Sequence, residues 1–144
     1  MSITSTFTVG RDGSLVVILP TGRIDLNYTD FQAQQETKLV TSMPVQSDVV
    51  SVELPQMWKA SFAIDRNSSA LEDFIAATED TFFSGGNAQL NGTTVYQYIN
   101  EINGSISTYE YTNCTLKLDD AGSYKQDDKV TQKLSMTASR RKKV

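Results

Sequence analysis

Histidine is absent from this sequence of 144 residues, and cysteine occurs only once. Because histidine is the commonest general base, triad partner and zinc ligand, its absence argues against most hydrolytic and zinc-dependent enzymes. We expect no catalytic residue, no cofactor and no metal. The single cysteine, Cys114, excludes an intramolecular disulfide and suits a reducing compartment. It alternates with Leu116 and Leu118, so we expect a buried thiol rather than a nucleophile.

Long apolar runs are also absent. The longest, Leu15 to Leu19, is far too short to span a bilayer, and residues 1–10 have no basic segment followed by an apolar one. We therefore expect no membrane segment, no export signal and synthesis in the cytoplasm. The net charge of −4 disfavours a protein that reads DNA sequence, because like charges repel.

Alternation of apolar and polar residues is what the sequence has in abundance, and it predicts β-strands with one buried face. It is clearest over residues 58–65 and 130–138. Weaker alternation predicts strands over residues 3–9, 15–19, 21–27, 49–54, 95–102 and 106–118. Together these segments predict an antiparallel meander in one domain that spans residues 1–144.

Turn residues separate several of these strands. Asp12-Gly13 and Asn103-Gly104 are typical of type I′ hairpins, whose two central positions need positive φ. Asp119 to Gly122 predicts a further turn. Asp119-Asp120 and Asp127-Asp128 flank a short segment, but their spacing is not that of an EF-hand, so solvated turns are favoured over a calcium site.

One helix is predicted among the strands, over residues 69–83. Ser69 and Glu72 have the spacing of a capping box, and Gly85-Gly86 can end the helix. An apolar stripe runs along one face, which predicts packing on a sheet; its members are Leu71, Phe74, Ile75, Thr78 and Phe82.

Two segments do not fit a compact meander. Residues 28–48 are rich in Gln, Thr and Lys, and a structureless loop of that length is uncommon, so we interpret them as an extended arm or a long hairpin. The basic terminus, residues 139–144, has three open interpretations: a solvated tail, a nucleic-acid patch, or an arm that pairs with an acidic surface of a neighbouring copy.

Several segments resemble bacteriophage tail tube proteins. Residues 60–74, ASFAIDRNSSALEDF, resemble the strand-to-helix segment of that family. Residues 120–125, 130–135 and 138–141 resemble its C-terminal part, and residues 35–42 resemble its arm. These segments extend over most of the chain, although no single motif among them is diagnostic.

The resemblance implies a mainly β fold: an antiparallel β-sandwich or half-open barrel with one flanking α-helix, which closes into a continuous barrel when subunits form a ring. The implied function is a structural subunit, not an enzyme, of a phage tail tube. Hexameric rings would stack into a channel for DNA ejection, in a tail of the contractile type. Acidic groups on the channel wall would keep DNA from adhering.

The implied location is the virion tail, after synthesis in the bacterial host cytoplasm. Implied partners are further copies of the chain, the tail sheath, the tape-measure protein in the lumen, the baseplate or initiator, the tail terminator and passing DNA. Two alternatives stay open: the tube of a bacterial contractile injection or secretion system, and a monomeric ligand-binding β-barrel. The expected subunit interface comprises Gln35, Glu36, Thr37, Lys38, Val40, Arg66, Glu72, Arg140 and Arg141.

Overall fold

The computed structural model describes Thr8 and residues 13–19, 22–26, 28–85 and 93–144. Within these residues the chain is mainly β, as expected, with one helix, α1, at Ala70–Phe83. The strands in chain order are β1 Gly13–Leu19, β2 Gly22–Leu26, β3 Tyr28–Ser42, β4 Val50–Asp65, β5 Thr93–Asn100, β6 Ile106–Asp120, β7 Thr131–Ala138 and β8 Arg140–Lys143.

All strand pairs in the described residues are antiparallel, and their spatial order is β2-β1-β5-β6-β7-β4-β3, with β8 also on β6. Strand β6 joins two layers, because its first half pairs with β5 and β8 and its second half pairs with β7. Asn113, at the point of change, has a φ of 50°. The end strands β2 and β3 do not pair with each other, so the sheet is a half-open barrel rather than a closed one.

The core lies between the two layers. The first layer contributes Leu15, Val17, Val95 and Tyr111, and the second contributes residues such as Phe62, Leu134 and Met136. These residues lie at alternate positions of their strands, as a half-buried sheet requires. Cys114 belongs to the same cluster and is 3% exposed, so its predicted burial is confirmed.

The bounds of helix α1 agree with the prediction, but its N-terminal cap and the packing of its second half do not. Ser69 precedes it but makes no capping hydrogen bond; its hydroxyl instead donates to the Asp73 carboxylate at 3.1 Å. The predicted capping box is therefore wrong, because Glu72 is bound elsewhere. The apolar stripe packs on the core only through its first half, and Phe82 is exposed.

Several predicted boundaries change in the structure. The strands predicted over 49–54 and 58–65 are one continuous strand, β4, which includes Pro55. The Asn103-Gly104 hairpin is present, but its loop is longer than a two-residue type I′ turn. The Glu101 amide donates to the Ser105 carbonyl, and of Asn103 and Gly104 only Gly104 has positive φ. The strand predicted over 3–9 lies outside the described residues except for Thr8, as does Asp12 of the other hairpin signal.

Candidate assembly surfaces

The hairpin of β3 and β4 extends well beyond the rest of the sheet. Strand β4 pairs with β7 only over Trp58–Asp65, whereas β3 and β4 pair with each other as far as Ser42 and Val50. In residues 36–57, which we name the ribbon, the two strands are paired only with each other in the described structure. The ribbon projects by roughly 25 Å at about 3.3 Å per residue.

A β-bulge at the base of the ribbon changes which residues of β4 face the core. Glu36 is opposite Met57, and Thr37 is opposite Pro55, so Gln56 is the extra residue. On the body side of the bulge the even-numbered residues of β4, such as Phe62, point to the core. On the ribbon side the even-numbered residues lie on the opposite face, since one inserted residue reverses the alternation.

The ribbon consequently has one apolar face, which we call the valine face. Its residues are exposed: 44% for Val40, 57% for Val50, 53% for Val52 and 47% for Leu54. Lys38 and Ser42 complete it, since Lys38 is opposite Leu54 and Ser42 is opposite Val50. An isolated two-stranded ribbon is marginally stable in water, and a contiguous exposed apolar patch marks an interaction surface.

The five predicted interface residues of the arm have different surroundings in the structure. Gln35 lies opposite Trp58 at the base of the ribbon. The Glu36 carboxylate is 2.7 Å from the Lys59 ammonium, and the Thr37 hydroxyl donates to the Glu53 carboxylate. Only Lys38 and Val40 lie on the valine face. The structure thus separates Glu36 and Thr37, whose side chains bond within the hairpin, from Lys38 and Val40 on the valine face, while Gln35 is exposed at the base of the ribbon.

Arg66 and Glu72, which were also predicted at the interface, join α1 to the sheet within the chain. Nε of Arg66 donates to Glu72 at 2.8 Å, and Nη2 donates to the second carboxylate oxygen at 3.3 Å. The amide of Gln132, a residue 2% exposed on β7, donates to the same carboxylate and to the Ala121 carbonyl. These bonds from Arg66 and then Gln132 lower the pKa of Glu72 below its usual range.

The basic terminus forms strand β8 on β6. Arg141 lies opposite Tyr111, and its guanidinium covers the ring of Tyr109 with 3.7 Å to the ring centre and that of Trp58 with 5.1 Å. Nε of Arg141 donates to the Tyr111 hydroxyl at 3.0 Å, and that hydroxyl donates to Gln97. Arg141 is therefore anchored inside the chain, whereas Arg140 is exposed.

Sequence reasoning missed several residues that matter here. Val50, Val52 and Leu54 alternate like a strand with a buried face, and only the departure of β4 from β7 leaves them exposed. Phe82 and Phe83, at the end of α1, are 59% and 76% exposed and form an edge-to-face pair with ring centres 5.3 Å apart. Gln132 carried no sequence signal, because a glutamine in a strand is ordinarily solvated.

The acidic residues at the end of β6 form hydrogen bonds within the chain. Asp120 accepts a bond from the Gly122 amide, and Asp119 accepts one from the Ser135 hydroxyl. Across the part of the chain that the structure describes, no three potential ligands converge to hold a metal ion.

Helix α1, at 14 residues, does not have the length and apolarity of a membrane-spanning helix.

The half-open antiparallel barrel with its flanking helix and projecting hairpin is similar in fold to solved chains from tail-like particles. A chain of the sheath/tube terminator of the extracellular contractile injection system PVC, in its extended state, is similar with a TM-score of 0.66, at 10% identity, over 99% of each chain. The tube-terminating cap of the anti-feeding prophage AFP has a TM-score of 0.65 at 9% identity, over 100% of this chain and 95% of that chain.

A chain from the tail of an empty gene transfer agent particle, determined with C6 symmetry, has a TM-score of 0.52 at 10% identity, over 96% of this chain and 99% of that chain. The sequence matches no protein-family model and no curated protein. At these identities the likeness concerns the fold alone. At that level it confirms the resemblance to tail tube proteins that the sequence indicated.

Proposed function

We propose that this chain is a structural, non-enzymatic subunit that assembles with copies of itself into the tube of a tail-like particle. The observation that carries the proposal is the valine face, which stays exposed in the single chain although it consists largely of aliphatic side chains. A surface of this kind is stable when another protein covers it. The tube-protein fold makes further copies of the chain the first candidates for that cover.

Ring formation would use the free sheet edges. Among the described residues, strands β2 and β3 end the sheet on either side, and backbone groups left unpaired along such edges promote pairing with another chain. If neighbouring copies paired along these edges, the half-open sheets would close into one barrel around a lumen. Six copies per ring is our proposal, and the C6 symmetry of the similar gene transfer agent tail supports it.

The particle we propose first is a contractile phage tail in which the stacked rings conduct DNA. Its further partners would be the sheath around the tube, the tape-measure protein in the lumen, and the baseplate and terminator at the two ends. The interface roles of Gln35 to Val40, of the Arg66–Glu72 region and of the basic terminus belong to the same proposal. Gln35, Lys38, Val40 and Arg140 are the exposed members of this set, which suits a role at an interface.

A second candidate is the tube of a contractile injection system, whose lumen would carry protein. The two similar chains with TM-scores of 0.65 and 0.66 come from such systems, which favours this candidate. A monomeric ligand-binding barrel is less favoured, because the space between the layers is filled by side chains such as Tyr111, Leu134 and Leu15.

The assembly proposal is tested with the purified full chain over a range of concentrations, by sedimentation velocity and negative-stain electron microscopy. We expect rings or tubes of uniform diameter. Val52→Lys should prevent assembly, because it places a charge on the valine face. Ser51→Lys is the matched control, since Ser51 is the adjacent residue on the opposite face of the ribbon.

A chain that stays monomeric at every concentration, even with added tail-initiation proteins, would overturn the proposal. Equal assembly of both lysine variants would remove the valine face from it. To separate the two candidates, particles that contain the chain are isolated from producing cells and treated with nuclease. Protected DNA supports a phage tail, and particles without DNA that carry a protein cargo support an injection system.

A further inference from the structure

The carboxyl-terminal end of α1 carries a negative charge and an apolar surface that the described residues of the chain do not balance. Glu79 and Asp80 are exposed and form no ion pair within the described residues, and the last turn contains no basic residue. The end of a helix has a partial negative charge, so carboxylates here are repelled. The exposed Phe82 and Phe83 lie next to them.

The valine face carries the opposite charge, from Lys38, among aliphatic side chains. Lys38 is exposed, stands opposite Leu54 and lies two residues from Val40 on the same face. It forms no ion pair with any described residue. The other basic segment, β8, consists of arginine and lysine alone, so it offers positive charge without aliphatic surface. The valine face therefore complements the end of α1 in both charge and apolarity.

These two surfaces do not cover each other within one chain, because both are exposed. We propose that the ribbon of one copy docks on the carboxyl-terminal end of α1 in a second copy. In this contact Lys38 faces Asp80 and Glu79, and the aliphatic residues of the valine face cover the phenylalanine pair. The inference rests on the proposed function and adds the partner surface on the neighbouring subunit.

The geometry of such a contact suits an assembly of many copies. The two surfaces belong to different parts of the chain, so the interface is heterologous and a bound pair of copies keeps one ribbon and one helix end free. Repetition of a heterologous contact generates a closed ring or an open stack. The projection of the ribbon by roughly 25 Å allows it to reach a neighbour without distortion of the body.

Charge reversal provides the test, with the full chain and the same assembly assay. Lys38→Glu and Asp80→Lys should each raise the concentration needed for assembly by about tenfold or more, because each places like charges in contact. The double variant Lys38→Glu/Asp80→Lys should restore assembly. Both residues are exposed, so neither variant monomer should melt below the wild type, and Asp80→Lys should melt slightly above it because it removes a carboxylate from the negative end of α1.

A second double variant, Lys142→Glu/Asp80→Lys, is the control for the basic terminus and should assemble as poorly as Asp80→Lys. The inference is wrong if the single variants assemble like the wild type, if the first double variant fails like its parents, or if the control double variant is the one that recovers. A wild-type chain that never assembles contradicts the proposed function instead, so the two failures are distinct.

Discussion

The central carbon of the Arg141 guanidinium lies over the ring of Tyr109, 3.7 Å from the ring centre. The two residues belong to adjacent strands, β8 and β6, and Arg141 also donates a hydrogen bond to Tyr111. Both contacts use the planar shape of arginine. They explain how a strand of four basic residues stays on the sheet, although such a strand offers little apolar surface.

We predict that Arg141→Ala lowers the free energy of unfolding by about 1–3 kcal/mol, through the lost cation–π contacts and hydrogen bond. Arg141→Lys should retain part of this stability, because it keeps the charge but not the planar fork. Urea unfolding followed by circular dichroism measures the difference. Lys143→Ala is the control, and a loss of stability as large as that of Arg141→Ala would show that charge alone holds β8.

The ionisation of Glu72 should make the stability of the folded chain depend on pH. Its pKa in the folded chain is lowered from the ordinary value of 4.5, so its stabilising effect is present above that value and is lost as the pH falls through the folded pKa. We predict that Glu72→Gln melts at a lower temperature than the wild type at pH 7, and that this gap narrows below about pH 4.5. A gap that is constant with pH would mean that the Arg66 pairing contributes no stability.

Gly122 and Gly104 allow backbone strain to be separated from steric clash. Both have positive φ, but a Cβ at Gly104 would meet nothing within 4 Å, whereas one at Gly122 would lie 2.5 Å from Cγ1 of Val130. We predict a cost of about 1 kcal/mol for Gly104→Ala and about 2–3 kcal/mol for Gly122→Ala, measured by thermal unfolding. Equal costs would show that Val130 moves aside freely.

Cys114 should be inert in the folded protein. Burial raises its pKa to about 12, so the thiol is almost entirely protonated at pH 8, and the side chain is inaccessible as well. Ellman's reagent should detect no fast-reacting thiol in native protein and one per chain in denaturant. Thr115→Cys, the adjacent exposed position, should react at once; a fast reaction of native Cys114 would contradict its placement in the core.

Much of the body was predictable because its sequence pattern and its environment agree. Residues 58–65 alternate between core and solvent in the structure as they do in the sequence. The helix was found for a similar reason, since its first apolar residues pack on the sheet. Local alternation is sufficient where every strand has a neighbour on each side.

The ribbon could not be predicted in the same way. Val50, Val52 and Leu54 have the alternation of a buried strand, and nothing in the local sequence states that β4 leaves β7 at Trp58. The capping box failed for a related reason. Glu72 has the correct spacing from Ser69, but Arg66 and Gln132, the latter 60 residues away, bind its carboxylate instead. In both cases the structure depends on contacts with residues that are distant in the sequence.

The candidate interface was only partly predictable. The arm was located, but the sequence did not show which of its residues share a face, because that depends on the register of the hairpin. The basic terminus was identified by charge alone, and its pairing with Tyr109 and Tyr111 requires the fold. Arg141 and Arg140 are neighbours in sequence, yet one stacks on the aromatic rings and the other faces solvent.

Gln56, the extra residue of the bulge, reverses the side-chain alternation partway along β4. Without it, the even-numbered residues of this strand of 16 residues would lie on the core side along its whole length. The aliphatic residues of the ribbon would then lie on the same side as those of the core. With it, the aliphatic face of the ribbon lies on the side opposite to the core face of the body. The proposed contact surface can therefore change its residues without altering the packing of the core.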